Sequence, residues 1–219
     1  MPAMTRAPLA IWGAAGHARA VTTVARLDDR WQIVGYIDDV DAGRADEPFC
    51  GSSVIGGREA LDELRRRGVR HLFLAFGANA ARLALADELQ REGFEFPSLV
   101  HPSAVIADDA RMEAGVFIGP GAIVNAEARI GKQSIVNSGA IVEHDVQLGS
   151  AVHLSPRACV AGSVRVGDCV WVGAGAVIRD KLSIGAHAMV GMGAVVTRSV
   201  PAHSVVVGCP AKPMRGAAA

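Results

Sequence analysis

Apolar residues follow two different patterns along the chain, one in each half. Up to about residue 100, short apolar runs with the length of buried parallel strands alternate with amphipathic, helix-like segments. The strand-like runs are residues 9–12, 33–37 and 72–76, and the helix-like segments are residues 17–27, 58–67 and 80–92. Gly68 and Gly93 stand where helices usually end. This alternation predicts an α/β Rossmann-like domain over residues 1–100.

The second half repeats every six residues. From Ile106 to Val196, each of the 16 positions in this series is aliphatic or Met. The residue four positions further on is nearly always Ala, Val, Ser or Leu. Hexapeptide repeats are typical of a parallel β-helix, whose coils contact only their neighbours. Three hexads make one triangular coil, so residues 101–219 are predicted to form an all-β solenoid of a little over five coils.

The amino-acid composition limits the kinds of binding partner that can be expected for this protein. Half of the residues are apolar but only 5% are aromatic, so the core has to be built from Val, Ile, Leu and Ala. Lys+Arg and Asp+Glu both number 22, which gives no electrostatic reason to expect nucleic acid or an anionic membrane as partner. The sequence shows neither a bilayer-spanning stretch nor a signal peptide, so we expect a cytoplasmic protein. The four cysteines fit no zinc template.

One triplet in the repeat has the chemistry of a general base. Glu143-His144-Asp145 flanks an imidazole with two carboxylates, and a neighbouring carboxylate fixes the tautomer and raises the basicity of a histidine. His153 follows half a coil later, so it projects from a different face of the same prism. Two interpretations of each histidine remain open: a catalytic group, or a turn residue bonded to water or backbone.

A second group of candidates follows the strands of the first half. Gly13 and Gly16, followed by His17, occupy a turn between a strand and a helix, as in phosphate-binding turns. Ala15 and Ala18 replace two glycines of the dinucleotide fingerprint, which argues against NAD. The remaining candidates lie near the ends of the next two strands: Asp38, Asp39, Gly77, Asn79 and Arg82. The site either binds a nucleotide or is a Rossmann-like cap without a ligand.

The order of the motifs resembles one family. A Rossmann-like domain, His101-Pro102-Ser103-Ala104, a hexapeptide repeat, Glu143-His144-Asp145 and finally the segment 207–212, VGCPAK, resemble the sugar O- and N-acyltransferases. This family includes sialic acid O-acetyltransferases and N-acetyltransferases for nucleotide-linked 4-amino sugars, such as perosamine N-acetyltransferases. The resemblance covers nearly the whole chain. It implies a left-handed β-helix, a homotrimer with active sites between neighbouring prisms, acetyl-CoA as co-substrate, and no metal.

The resemblance also implies roles for individual residues. His144 is the expected base, Asp145 orients its ring, and Asn137 lies near the acceptor sugar. The stretch from His153 ends at Gly162, whose backbone N–H is expected to face the thioester oxygen. Gly173 and Gly191 are one coil apart and are either a smooth groove for pantetheine or tight corners. The loop ending in Pro210 and Lys212 is expected to close over CoA, and the turn at Gly13 with Asp38 to hold the nucleotide.

These expectations add up to an N-acetyltransferase for the amino group of a UDP- or GDP-linked 4-amino sugar. Acetyl transfer to a hydroxyl of a sialic acid or polysaccharide is the alternative within the same family. A zinc hydratase needs three converging imidazoles, whereas the prism offers only His144 and His153 near its middle. A non-catalytic scaffold leaves the carboxylate-flanked His144 without a purpose.

Overall fold

The computed structural model describes residues 6–218, which form two compact units. One unit contains residues 6–78 and 84–99, and the other contains residues 79–83 and 100–218. Each unit is described by itself below. Among the described residues, none of the helices has the length and apolarity needed to cross a lipid bilayer.

The first unit is a small α/β domain, which confirms the predicted class. Its elements are β1 (Ala7–Trp12), α1 (Gly16–Arg26), β2 (Trp31–Ile37), a 3₁₀ turn (Ala42–Arg44), β3 (Pro48–Phe49), β4 (Ser52–Ser53), α2 (Ala60–Arg66), β5 (His71–Leu74) and all but the first five residues of α3 (Asn79–Arg91). The strands pair in parallel in the order β2-β1-β5. Gly68 and Gly93 follow α2 and α3 with φ of 75° and 88°, the left-handed conformation that ends helices. The β3–β4 hairpin was not predicted, because two short strands that occur once leave no periodic signal.

The second unit is a solenoid of very short strands, each two residues long until the last two. They are β6 (Leu99–Val100), β7 (Val105–Ile106), β8 (Arg111–Met112), β9 (Phe117–Ile118), β10 (Ile123–Val124), β11 (Arg129–Ile130), β12 (Ile135–Val136), β13 (Ile141–Val142), β14 (Gln147–Leu148), β15 (His153–Leu154), β16 (Cys159–Val160), β17 (Arg165–Val166), β18 (Trp171–Val172), β19 (Val177–Ile178), β20 (Ser183–Ile184), β21 (Met189–Val190), β22 (Val195–Val196), β23 (Ser204–Val207) and β24 (Lys212–Ala218).

The six-residue periodicity translates directly into these strands. Every position of the predicted series, from Ile106 to Val196, is the second residue of a strand. From Ile118 onward each of these side chains is at most 4% exposed, and burying such a side chain contributes about 1.5–3 kcal/mol. The residues four positions later fill the same interior. Because β6 and β23 extend the series at both ends, the solenoid has about six coils rather than a little over five.

Three sheets enclose this interior, and all their strand pairs are parallel except β23–β24. We number the sheets in the order in which the chain enters them, from β6, β7 and β8. Sheet 1 has the order β24-β23-β21-β18-β15-β12-β9-β6, sheet 2 the order β22-β19-β16-β13-β10-β7, and sheet 3 the order β20-β17-β14-β11-β8. Each strand pairs with the equivalent strands of the neighbouring coils, as Ile141 does with Cys159. The chain turns from sheet 1 to sheet 2 at corner 1–2, from sheet 2 to sheet 3 at corner 2–3, and returns at corner 3–1.

From residue 115 to residue 193, every turn at a corner places one residue in the left-handed conformation. This residue lies three positions after a buried aliphatic, so left-handed residues recur once per coil along one corner. At corner 1–2 these residues are Gly121, Gly139, Arg157, Gly175 and Gly193, with φ between 59° and 65°. At corner 2–3 they are Glu127, Asp145, Ser163 and Lys181, with φ between 56° and 60°. The two corners therefore share a backbone but differ in side chains.

Candidate active site

A hydrogen-bonded pair of side chains projects from corner 2–3. His144 Nδ1 lies 2.8 Å from Asp145 Oδ2. Asp145 occupies the left-handed position of this turn, with φ of 60°, which places its carboxylate beside the preceding ring. Because an ionised carboxylate only accepts, Nδ1 donates this hydrogen bond, and in the neutral form of the ring the free lone pair is on Nε2. The third member of the triplet, Glu143, makes only a 3.4 Å contact through Oε2 with the His144 N–H.

Gly162 lies directly against the imidazole ring. It occupies the turn position of His144 in the next coil. A Cβ built on Gly162 would come within 2.6 Å of both Cε1 and Nε2 of His144. Real Cβ atoms do not approach so closely, so any side chain here displaces the ring. Among residues 6–218, the Gly162 N–H has no hydrogen-bond acceptor, whereas its carbonyl accepts from Lys181 N at 3.0 Å.

The dyad lies open in the single chain. The side chains of His144 and Asp145 are 61% and 58% exposed. A shallow depression of about 840 Å³ lies on the outer face of sheet 3, where Arg129, Arg165 and Ser183 contribute to its walls, and it includes neither member of the dyad. A reaction at His144 therefore requires a further surface to exclude water and hold the substrates.

Asn137 lies on corner 1–2, and His153 lies on sheet 1. Asn137 is half-buried, and its Oδ1 accepts from the N–H of Ser138 at 2.8 Å. Among the described residues its amide N–H₂ has no acceptor, so it remains available to a ligand. His153 is half-buried on β15, in register between Ile135 and Trp171. Ligand contacts of both residues remain predictions.

The glycines of the predicted pantetheine groove are required by the stacking of the coils. A Cβ on Gly173 would come within 2.5 Å of Met192 N, a backbone atom that cannot easily move. A Cβ on Gly191 would come within 2.7 Å of Val207 Cγ1. Tight corners therefore account for both glycines without a ligand. Their contact with the donor stays a prediction.

The C-terminal loop is tied to the solenoid by its backbone. Val195 N donates to Gly208 O at 3.0 Å, and Ala211 N donates to Val195 O at 2.8 Å. Pro210 lies between these anchors, and Lys212 opens β24, where it pairs with Val207 and is exposed. The loop thus has a fixed backbone that presents one exposed cation. A contact of this loop with CoA stays a prediction.

Asn79 and Arg82 belong to the second unit, where they hold backbone carbonyls of corner 3–1. Arg82 Nε donates to Gln133 O at 2.9 Å, and Asn79 Nδ2 donates to Val170 O at 3.1 Å. A guanidinium N–H of Arg82 also donates to Asn79 Oδ1 at 3.0 Å. Burial lowers the pKa of Arg82 to about 10, so it remains charged at neutral pH. Both side chains are buried and have a clear structural role, while the predicted contact with a nucleotide remains untested.

The glycine turn of the first unit leads from β1 into α1. Gly13 has φ of 119°, and a Cβ there would come within 2.8 Å of Ala75 O, so only glycine fits. Ala15 caps α1 without a side-chain hydrogen bond, and the first turn contains no acidic residue. Gly16 is exposed with open space where a Cβ would be, and His17 is half-buried. The positive end of α1 is therefore uncapped by any side chain.

Arg44 is a residue that the sequence motifs did not reveal. Its NH1 donates to Asp38 Oδ2 at 2.6 Å and to Ala14 O at 2.9 Å, while Nε donates to Glu47 Oε2 at 2.9 Å. The hydrogen bonds that Arg44 donates to Glu47 and Asp38 raise the pKa of its guanidinium. It lies in a 3₁₀ turn with no periodic pattern, so only the fold brings it to the glycine turn.

The two predicted carboxylates already have partners within the first unit. Asp38 is bonded to Arg44 and also accepts from Val40 N at 3.2 Å. Asp39 Oδ1 accepts from Trp12 Nε1 at 3.0 Å. Gly77 follows β5 and is exposed, with open space where a Cβ would be. Arg44 thus links Asp38 to the turn at Ala14. The nucleotide contacts of Asp38, Asp39 and Gly77 remain predictions.

No group of three or more His, Cys, Asp or Glu side chains among the described residues is arranged to hold a metal ion.

Comparisons with known proteins match both units. The family described as the PglD N-terminal domain matches residues 8–89, and bacterial transferase hexapeptide (six repeats) matches residues 163–198. No curated protein matches the chain.

Several solved structures are similar over nearly the full length. A histidine-to-asparagine variant of perosamine N-acetyltransferase from Caulobacter crescentus, in complex with CoA and GDP-perosamine, is 35% identical with a TM-score of 0.90, over 94% of this chain and 96% of that one. The acetyltransferase domain of PglB from Neisseria gonorrhoeae, in complex with acetyl coenzyme A, is 31% identical with a TM-score of 0.89, over 96% and 100%. WeeI from Acinetobacter baumannii is 27% identical with a TM-score of 0.82, over 96% and 100%.

The fold, the order of its two units and the full-length similarity agree with one another. The chain belongs to the sugar acyltransferases of the left-handed β-helix family.

Proposed function

We propose that the protein is an acetyltransferase that moves the acetyl group of acetyl-CoA onto the amino group of a nucleotide-linked 4-amino sugar, with UDP or GDP as the nucleotide. The observation that carries this proposal is the His144–Asp145 dyad packed against Gly162 on a hexapeptide prism. The similarity to perosamine N-acetyltransferase, whose structure contains CoA and GDP-perosamine, supports an amine as the acceptor.

The mechanism that we propose is direct transfer within a ternary complex. The sugar nitrogen attacks the thioester carbonyl, forming the C–N bond, and His144 Nε2 takes the proton that the nitrogen loses. Collapse of the tetrahedral intermediate breaks the C–S bond, and the imidazolium returns the proton to the leaving thiolate. Asp145 holds the ring in the required tautomer. A positioned base of this kind contributes about 10²- to 10⁴-fold to rate.

The Gly162 N–H is the proposed donor to the oxyanion of the intermediate. It has no acceptor among the described residues, and a Cβ built on Gly162 would come within 2.6 Å of Nε2, so the residue lies beside that edge of the ring. In the attack step the base takes the proton from the nitrogen, and the oxyanion donor stabilises the negative charge on the carbonyl oxygen. Two such groups that lie side by side can act in the same step. Removal of a single oxyanion donor typically costs about 10²- to 10³-fold in kcat.

We propose that the acetyl donor lies along corner 1–2 and the C-terminal loop. His153, Gly173 and Gly191 follow this side of the solenoid, and Pro210 and Lys212 lie at its C-terminal end. An exposed lysine suits the phosphates of CoA as a point charge.

The first unit is proposed to bind the nucleotide of the acceptor. The turn at Gly13 and Gly16 presents uncapped N–H groups at the start of α1, which favours a phosphate. Asp38, Asp39 and Gly77 are the proposed contacts to ribose or base, together with His17. Contacts of Asn79 and Arg82 with a nucleotide remain predictions.

A homotrimer is proposed because the dyad is open and sheet 2 is apolar on its outer side. The outward residues of sheet 2 are Val105, Ile123, Ile141, Cys159, Val177 and Val195. The corresponding residues of sheet 3 are Arg111, Arg129, Gln147, Arg165 and Ser183. An aliphatic outer face suits contact with another prism, and such a contact provides the second surface that the dyad lacks.

The proposal is tested by the acetyl-CoA-dependent release of thiol with a panel of UDP- and GDP-linked 4-amino sugars. We expect turnover with one of them, reduced by at least about 100-fold in His144→Ala, as for the loss of a general base. His203→Ala is the matched control, because this exposed histidine lies on corner 3–1 and should leave turnover unchanged.

Lack of turnover with the whole panel by a protein that still binds acetyl-CoA would overturn the amine acceptor. Sialic acid and polysaccharide hydroxyls would then be the acceptors to assay.

A further inference from the structure

Exposed apolar side chains cluster at the C-terminal end of sheet 1 and corner 1–2. Met189, Met192, Val207 and Met214 are 38%, 74%, 39% and 51% exposed, and we call these four residues the C-terminal apolar patch. In the described part of the solenoid, the other large apolar side chains that are so exposed lie on sheet 2, for which a contact with another prism is proposed. A patch of this kind on a soluble protein marks a binding surface.

Strand register places most of the patch on one face of sheet 1. Val207 stacks on Gly191, since Gly191 N donates to Val206 O at 2.8 Å and a Cβ on Gly191 would come within 2.7 Å of Val207 Cγ1. Lys212 is paired with Val207 across β23 and β24, so the two side chains lie on the same face. Alternate residues of a strand share a face, which adds Met214 to it. The patch therefore surrounds one exposed cation.

Met192 borders Gly191 on the side of corner 1–2. It lies two positions after a buried aliphatic, and at this position the four preceding coils have shorter side chains: Pro120, Ser138, Pro156 and Ala174. A methionine side chain is long, flexible and apolar, and at this position it fills no part of the core. Met192 thus adds an adaptable apolar wall beside a position that has no side chain.

The same end of the chain is basic. Residues 181–219 contain four Lys or Arg residues and no Asp or Glu, although the whole chain has equal numbers of acidic and basic residues. This local excess of positive charge favours an anionic ligand. The ligand that suits the patch therefore combines an apolar group with a negative charge close to it.

We propose that the C-terminal apolar patch binds the pantoate unit of acetyl-CoA, with Met192 and Val207 packed against its two methyl groups. In coenzyme A the carbon that bears these methyl groups is joined to the diphosphate through a CH₂–O link. An apolar patch beside Lys212 matches this order of groups. The inference rests on the proposed function, and it assigns contacts to the middle of the donor, between Gly173 and Lys212.

Met192→Ala tests the contact with little risk to the fold, because alanine is the residue at the equivalent position one coil earlier. We expect KM for acetyl-CoA to rise about tenfold, the effect of losing most of a buried methionine side chain. kcat and KM for the sugar nucleotide should change less than twofold. Leu27→Ala, which removes an exposed leucine at the end of α1, is the control and should change none of these constants.

Shortened donors locate the contact. Acetyl-pantetheine keeps the two methyl groups but has no phosphate, and S-acetyl-N-acetylcysteamine has neither. We expect Met192→Ala to lower kcat/KM about tenfold with acetyl-CoA and with acetyl-pantetheine, and to have no effect with the shortest donor. Lys212→Ala should lower kcat/KM with acetyl-CoA alone. An equal effect of Met192→Ala on all three donors, or no effect on acetyl-CoA, would overturn the proposal.

Calorimetric titration with CoA and light scattering provide measurements that do not depend on turnover. We expect Met192→Ala to weaken CoA binding by a similar factor and to leave the molar mass of the assembly unchanged. An altered molar mass would show that another copy of the chain covers the patch, and this result or an unchanged CoA affinity would overturn the proposal. A wild type that binds CoA but acetylates no sugar nucleotide would instead contradict the proposed acceptor, while the calorimetry would still decide on Met192.

Discussion

Corners 1–2 and 2–3 of the solenoid have the same backbone conformation but present different side chains. Corner 2–3 fills its left-handed positions with Glu127, Asp145, Ser163 and Lys181, whereas corner 1–2 uses glycine in four coils of five. The first corner presents the carboxylate that orients His144, and the second presents a nearly bare surface. The repeat therefore sets the path of the chain and leaves the side chains at the corners free to serve function. Substitutions at equivalent positions of the two corners should therefore have different consequences.

The largest effect is expected from Gly162→Ala. The added Cβ would lie 2.6 Å from two atoms of the His144 ring, so the ring must move, and a misplacement of about 1 Å costs on the order of 100-fold in rate. We expect kcat to fall by about that factor while thermal unfolding changes little.

A double-mutant cycle with His144→Ala separates this steric effect from a general loss of structure. Once the ring is gone, Gly162→Ala should add less than about threefold. A full additional loss in the double variant would show that Gly162→Ala does not act through His144.

Asp145→Asn is expected to have the next largest effect and to be worse than Asp145→Ala. The asparagine amide can donate to Nδ1, which favours the tautomer with hydrogen on Nε2 and removes the base. Because the pair is more than half exposed, we expect a loss of kcat of about 10- to 100-fold, smaller than for a buried triad carboxylate. Steady-state kinetics of both variants check this, and equal losses would argue against control of the tautomer.

Gly175→Ala adds a side chain to the glycine-lined corner. The neighbouring space is open, so no clash is expected. The free energy of unfolding should fall by about 1–2 kcal/mol, the cost of an alanine in the left-handed conformation. We expect KM for acetyl-CoA to rise several-fold with kcat nearly unchanged, since ground-state binding alone is affected. An unchanged KM would mean that the donor does not lie along corner 1–2.

The smallest effect is expected from the reverse substitution on the other corner. Lys181 is exposed at φ of 58°, so Lys181→Gly should relieve backbone strain, a gain offset in part by glycine's larger unfolded-state entropy. We expect a net change within about 1 kcal/mol in the free energy of unfolding, measured in urea, and unchanged KM values. A clear rise in KM for acetyl-CoA would show that both corners contact the donor.

The solenoid was predictable from sequence because its contacts are local and repeated. Each position in the series from Ile106 meets its equivalents in the coils before and after it, so one rule describes every strand. The same register of equivalent positions in successive coils places Gly162 beside His144. It also aligns Arg157 with the glycines of corner 1–2. The β-α alternation of the first unit was equally readable, although its strand ends shifted by up to two residues.

Contacts that span the sequence without a repeat were not predictable. Arg82 and Gln133 are 51 residues apart, and Asn79 and Val170 are 91 apart. The sequence around Asn79 and Arg82 gives no sign of these partners in the solenoid. Their position after a strand predicted a contact with a nucleotide and nothing else. Arg44 was missed for a similar reason, because its partners Asp38 and Ala14 are brought together by the fold of the first unit.

The stacking of coils also constrains how such a protein can change in evolution. Because the same register recurs in every coil, duplication or loss of one whole coil moves everything beyond it by about 4.8 Å along the axis and leaves each corner's chemistry intact. Insertion of a fraction of a coil rotates the downstream corners away from their partners. The distance between Gly162 and the loop at Gly208 can therefore vary only in discrete steps, each of them one coil long.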